Sequence, residues 1–161
     1  MTERGSNMRE AENRREVMEA IEAADRAVMS LERARDELSS ARSWGMWDLF
    51  GGGFVSTLCK HSRMDDAKAA MNEAKGHLRT LKRELLDVSI TEDFKLEVGD
   101  FLSFADYFFD GFIADFMVQT KINDAASQVE AAIDNVKKIR GSLKKMLNEL
   151  DGRAYIEGGI E

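Results

Sequence analysis

The chain has 161 residues, of which 43% are hydrophobic and 33% charged, with a formal net charge of −7 at pH 7 and no proline. A chain of this length can bury a core without a disulfide or metal staple, and two histidines with one cysteine leave no ligand set for a zinc cage or a disulfide framework. The acidic balance argues against nucleic acid and anionic lipid as partners, because both recruit clustered Lys and Arg, and the missing proline favours long unbroken helices.

The N-terminal residues are charged from the third position and lack the short apolar stretch of a secretory signal. The most apolar stretch, Trp44 to Cys59, is 16 residues long and contains Asp48 and four glycines, so no membrane span is expected. A single cysteine, Cys59, suits a reducing compartment. The expected location is the cytoplasm.

The first predicted helix runs from about Met8 to Ser43. Its apolar positions are Val17, Ile21, Ala24, Val28, Leu31 and Leu38, a four-three spacing interrupted only by Arg35. Glu and Arg interleave on the other face, as in Glu22 and Arg26, which reads as solvated surface. A corner from Trp44 to Gly53 leads into a second helix ending near Leu86, with a heptad seam of Ala67, Met71, Ala74, Leu78, Leu81 and Leu85. A break follows, where Ser89 with Glu92 forms a capping box and Thr91 offers a second cap.

The third predicted helix, about Glu92 to Phe109, is short, acidic and aromatic, and Asp110-Gly111 is the turn signal after it. A fourth helix then reaches about Leu150 on the seam Ala125, Val129, Ala132, Val136, Ile139, Leu143, Met146 and Leu150. Residues 151–161 carry three glycines and no period and are expected to form a flexible tail.

Sliding the chain against itself by 58 residues aligns Asp48, Phe50, Gly53 and Phe54 with Asp106, Phe108, Gly111 and Phe112, and the second seam with the fourth. This reads as a duplicated helix-corner-helix unit, with pseudo-repeats at about 34–86 and 92–144. With antiparallel neighbours, both corners fall at one end. Four helices pack there, and only the first, second and fourth continue beyond the third. The third helix is acidic while the second and fourth are basic, which places it between them.

Four candidate sites arise. The corner LFGGGF exposes backbone N–H groups before a helix, but it lacks the Gly-Lys-Ser/Thr of a phosphate loop and reads as a tight bend. His61 and Asp65 share a helix face, yet two ligands make no metal site, and the repeat supplies only Gln119 and Asn123 opposite them. His61, His77 and Cys59 form no nucleophile, base and orienting acid, so no catalytic residue is assigned. The aromatic groups Trp44, Trp47, Phe50 and Phe54, and Phe101, Phe104, Tyr107, Phe108, Phe109 and Phe112, read as mutually buried corners rather than a membrane-dipping tip.

The expectation is therefore an all-α, elongated antiparallel bundle of three long helices and one short helix, in a single domain over 1–150. Its structural corner or interface is expected at Trp44, Trp47, Phe50, Gly53, Phe54, Phe108, Gly111 and Phe112. The expected function is a non-enzymatic helical protein–protein interaction or scaffold module without cofactor, self-associating as a homo-oligomer through helix seams. A peripheral membrane module using the aromatic corners is the alternative, and a metal-binding bundle at His61 and Asp65 the second.

Overall fold

The computed structural model describes residues 2–47, 54–88, 92–119 and 122–158, and every regular element among them is helical. The order is α1 (Thr2–Trp47), α2 (Phe54–Asp87), α3 (Glu92–Tyr107), a π-helical segment (Phe108–Ile113), α4 (Ala114–Gln119) and α5 (Ile122–Gly158). Ala, Leu, Glu, Arg, Lys and Met dominate the long helices, and these residues lose little freedom in a helix. No helix among the described residues is long and apolar enough to cross a membrane.

Ion pairs give the topology. Between α1 and α5 they join Arg14 to Asp151 at 2.7 Å, Asp25 to Arg140 at 2.8 Å, Glu32 to Lys137 at 3.0 Å and Arg35 to Glu130 at 3.6 Å. One set of numbers rises as the other falls, so the helices are antiparallel along their whole shared length. Arg33 reaches Glu73 of α2 at 3.1 Å on the other flank of α1. Lys82 of α2 reaches Asp106 of α3 at 2.6 Å, and Ser142 of α5 donates a hydrogen bond to Glu97 of α3. The third helix thus lies between α2 and α5, and α1 occupies the opposite corner of a four-helix bundle.

Side-chain size sets the spacing. α1 buries a second row, Ala20, Ala23, Ala27, Ala34 and Ala41, beside its seam, because it faces two helices rather than one. α2 buries Ala67, Ala70 and Ala74 and α5 buries Ala125 and Ala132, and both helices pack closely along α1. The face of α3 buries Phe94, Phe101, Phe108, Phe109 and Phe116, which hold its backbone further off. Interaxial distance follows the side chains at the contact in this way, within about 8–10 Å. Ser30, the one buried polar residue of α1 among the described residues, donates to the Ala27 carbonyl at 3.0 Å and so leaves no orphaned hydroxyl.

The expected turn at Asp110-Gly111 is not a turn. Residues 92–119 form one continuous helical run, and these two residues sit inside its π-helical segment. The burial pattern explains it. Buried positions run 94, 98, 101, 105 and 108, then 109, 113 and 116, so the seam restarts one residue late at Phe109. In a regular α-helix that offset would leave Ile113 about 100° round from Phe94; a wider π turn absorbs the extra residue and keeps Ile113 inside. The third helix is therefore not short, and the fourth begins at Ile122 rather than at the glycine. The caps Ser89 and Thr91 lie outside the described residues.

α5 continues past Leu150 to Gly158, so residues 151–158 are helical where an aperiodic tail was expected. Polar helix formers and the Arg14–Asp151 pair carry the helix where the apolar seam has ended. The extension beyond the bundle also differs from expectation. α2 stops at Asp87, level with the middle of α1, since Arg83 and Glu84 line a common cleft with Glu19 and Glu22. The third helix begins near the same level. Beyond it, among the described residues, only α1 and α5 continue, as a two-helix arm instead of a three-helix extension. Burial agrees: among the described residues the first buried side chain of α1 is Val17 and the last of α5 is Leu143.

Candidate functional site

Two surface features stand apart from ordinary helix faces. The first is the arm formed by α1 up to about Met18 and α5 from about Lys144. A groove runs between its helices as two adjoining cavities of about 550 and 280 Å³, which share Ala11 and Arg14. Met18, Ile21 and Leu147 line one, and Leu150 the other. Met8, Met18, Tyr155 and Ile156 are 74%, 45%, 85% and 69% exposed, an apolar load far from the core. Residues 2–18 carry four acids and four bases, and residues 144–158 three of each, so the arm is electrically neutral.

The second is a cleft of about 370 Å³ between the π-helical segment and the start of α5. The rings of Tyr107, Phe112 and Phe116 and the polar groups of Asp115, Asp124 and Gln128 line it. Phe104, Phe108, Phe112 and Phe116 form a ladder with centroid separations of 5.8, 5.3 and 6.3 Å. Phe108 is fully buried, Phe112 is half-buried, and Tyr107 is 62% exposed. The π turn accounts for the difference, since it swings residue 112 to the rim when it admits residue 113 to the core. On the inner side the Arg79 guanidinium lies 5.9 Å from the centre of the Phe109 ring.

Charge is segregated between these features. Residues 92–119 hold seven acids against the single Lys95, a net of −6 within the molecule's −7. Along the α1–α5 seam Asp25, Glu32, Glu130 and Asp151 are held in the interhelical pairs above, and Glu22 pairs with Arg26 within α1. The Arg35 guanidinium stays above its ordinary pKa: partial burial lowers it, but the hydrogen bond and charge of Asp36, with the charges of Glu130 and Glu32, raise it by more. That residue, an interruption of the seam in the sequence, is a permanently charged rim contact between α1 and α5.

Of the residues singled out from the sequence, Phe108, Gly111 and Phe112 fall in or beside the second cleft. Phe50 and Gly53 lie outside the described residues, as do the side chains of Trp44, Trp47, Phe54, Cys59 and His61. Asp65 is exposed on α2, and among the described residues no group of three or more His, Cys, Asp or Glu stands close enough to hold a metal ion. The arm was missed. Its signal was available in the unequal helix lengths together with the apolar residues Met8, Tyr155 and Ile156, which have no seam to join.

Comparison of the chain with family models, with curated proteins and with solved structures finds no match.

Proposed function

We propose that the protein is a non-catalytic helical interaction module that pairs with a second copy of itself through the α1–α5 arm. The observation that carries this reading is the arm's incomplete packing. Four helices close the core over most of the molecule, but here two helices carry a groove and four exposed apolar side chains. Two such arms, laid together about a twofold axis, make an intermolecular four-helix bundle with the geometry already used inside each chain. Charge favours a second copy as the occupant. The arm is neutral with both signs interspersed, whereas the acidic run at residues 92–119 repels its like.

A copied helix is part of the same reading. The seam of α2 (Ala67, Met71, Ala74, Leu78, Leu81, Leu85) and the matching seam of α5 (Ala125, Val129, Ala132, Val136, Ile139, Leu143) are all 0–2% exposed, and both flank α1. α2 begins at Phe54 and α5 at Ile122, 68 residues apart rather than 58, so the likeness belongs to the outgoing helices rather than to the corners.

Sedimentation equilibrium over micromolar to millimolar concentrations tests the pairing. The wild type is expected to self-associate reversibly, and the double variant Met18→Glu, Ile156→Glu to remain monomeric. Both positions are exposed, so the fold should survive. A wild type that is monomeric throughout overturns the proposal, as does a variant that associates equally well.

A further inference from the structure

We infer that the outer face of the α3–α4 run docks a basic segment of a partner protein, with an arginine of that segment seated in the cleft beside the π-helical segment. This surface is separate from the arm and does not depend on self-association.

The face has the right charge and is unspent. Asp93, Asp100, Asp110 and Asp115 are exposed and have no cationic partner among the described residues, in contrast to Asp25, Glu32 and Glu130 on the α1–α5 side. Holding this much like charge on one helix costs stability through mutual repulsion, and a basic partner relieves it. The face is also not purely polar. Leu96 and Tyr107 stand 73% and 62% exposed, about 16 Å apart along the helix, on the same solvent side as Asp93, Asp100 and Asp110. Two apolar anchor points set among carboxylates fit an amphipathic basic segment better than a free metal ion or a small anion.

The cleft specifies the anchor. Its lining combines aromatic rings, Tyr107, Phe112 and Phe116, with the carboxylates Asp115 and Asp124 and the Gln128 amide. A guanidinium satisfies both kinds of group at once. Its plane stacks on a ring, and its fork of N–H donors reaches a carboxylate. An ammonium meets the charge but not the plane, so arginine is expected over lysine. The half-exposed Phe112 belongs here as well: a ring turned outward by the π turn has lost core burial and is covered again when the cleft is filled.

The test uses the full chain and a fluorescent amphipathic basic peptide of about 20 residues, long enough to span the anchor points as a helix. Anisotropy titrations compare the arginine-containing peptide with the same peptide carrying lysine throughout. Saturable binding is expected, weakened about tenfold by the lysine exchange and by Asp115→Asn with Asp124→Asn, and weakened also by Tyr107→Ala. These positions are exposed, and circular dichroism checks the fold of each variant. Met18→Glu on the arm should leave peptide affinity unchanged even if it abolishes self-association, which keeps the two proposals distinguishable. Absence of saturable binding overturns the inference. So does equal affinity for both peptides together with indifference to the cleft variants, since that pattern is general charge attraction.

Discussion

Phe108→Ala removes the residue on which the π-helical segment converges. Phe108 is 0% exposed and contacts three rings, Phe104, Phe109 and Phe112, at 5.8, 6.3 and 5.3 Å. Truncation of a buried phenylalanine costs about 3–5 kcal/mol, from lost transfer energy plus the cavity left behind. The aromatic partners, each worth about 0.5–1.5 kcal/mol beyond area, place this site in the upper half of that range, about 4 kcal/mol. Against a domain stability of about 5–15 kcal/mol this is a large share. With a urea slope of about 2 kcal/mol/M, the unfolding midpoint should fall by about 2 M. Urea unfolding followed by far-ultraviolet circular dichroism measures it, with Tyr107→Ala as the adjacent exposed control, expected to lie within about 0.5 kcal/mol of wild type. Equal losses for the two variants would refute the claim that the π turn sorts these neighbouring rings into core and rim.

Gly111→Ala should be tolerated and gain up to about 1 kcal/mol, because a Cβ there meets only the Tyr107 ring, at 3.9 and 4.0 Å; a clear loss in thermal unfolding would contradict a helical Gly111. Deleting Asp110 removes the residue that the π turn absorbs and lets an ordinary α-helix carry Ile113 into the core, so the melting temperature should stay close to wild type; a marked drop would contradict this account of the π turn. Ala74→Leu should cost about 1–3 kcal/mol in denaturant unfolding, since Ala74 is 0% exposed where α2 meets α1 closely. Lys82→Ala, by contrast, removes a half-exposed ion pair to Asp106 and should change stability by no more than about 1 kcal/mol.

The long seams were legible because, Arg35 apart, every third or fourth residue from Val17 to Leu38 and from Ala67 to Leu85 is apolar, and burial is what such spacing encodes. Charge placed the acidic third helix between two basic ones for an equally direct reason, since ion pairs such as Lys82–Asp106 are read from sign alone. The second alanine row of α1 was not legible. Alanine is neutral in a polarity pattern, and its burial depends on having two neighbours rather than one. Asp110-Gly111 misled because a turn dipeptide is a local preference, and here the aromatic core on both sides overrode it by inserting a π turn. The cleft at Phe112 is a product of that insertion, so nothing in the residue types foretold it. The arm is legible only when two helices are compared: α2 stops at Asp87 where α1 and α5 run on, so unequal lengths, and no motif, carry its signal.

The most direct test of arm-mediated pairing is small-angle scattering at a concentration where the mass has doubled. α1 alone, at 46 residues, sets a length of about 70 Å for one chain. Two chains overlapped only along arms of about 15 residues should reach a maximum dimension of about 115 Å. A dimer no longer than about 80 Å would mean that the bodies lie side by side, and the arm would not be the interface.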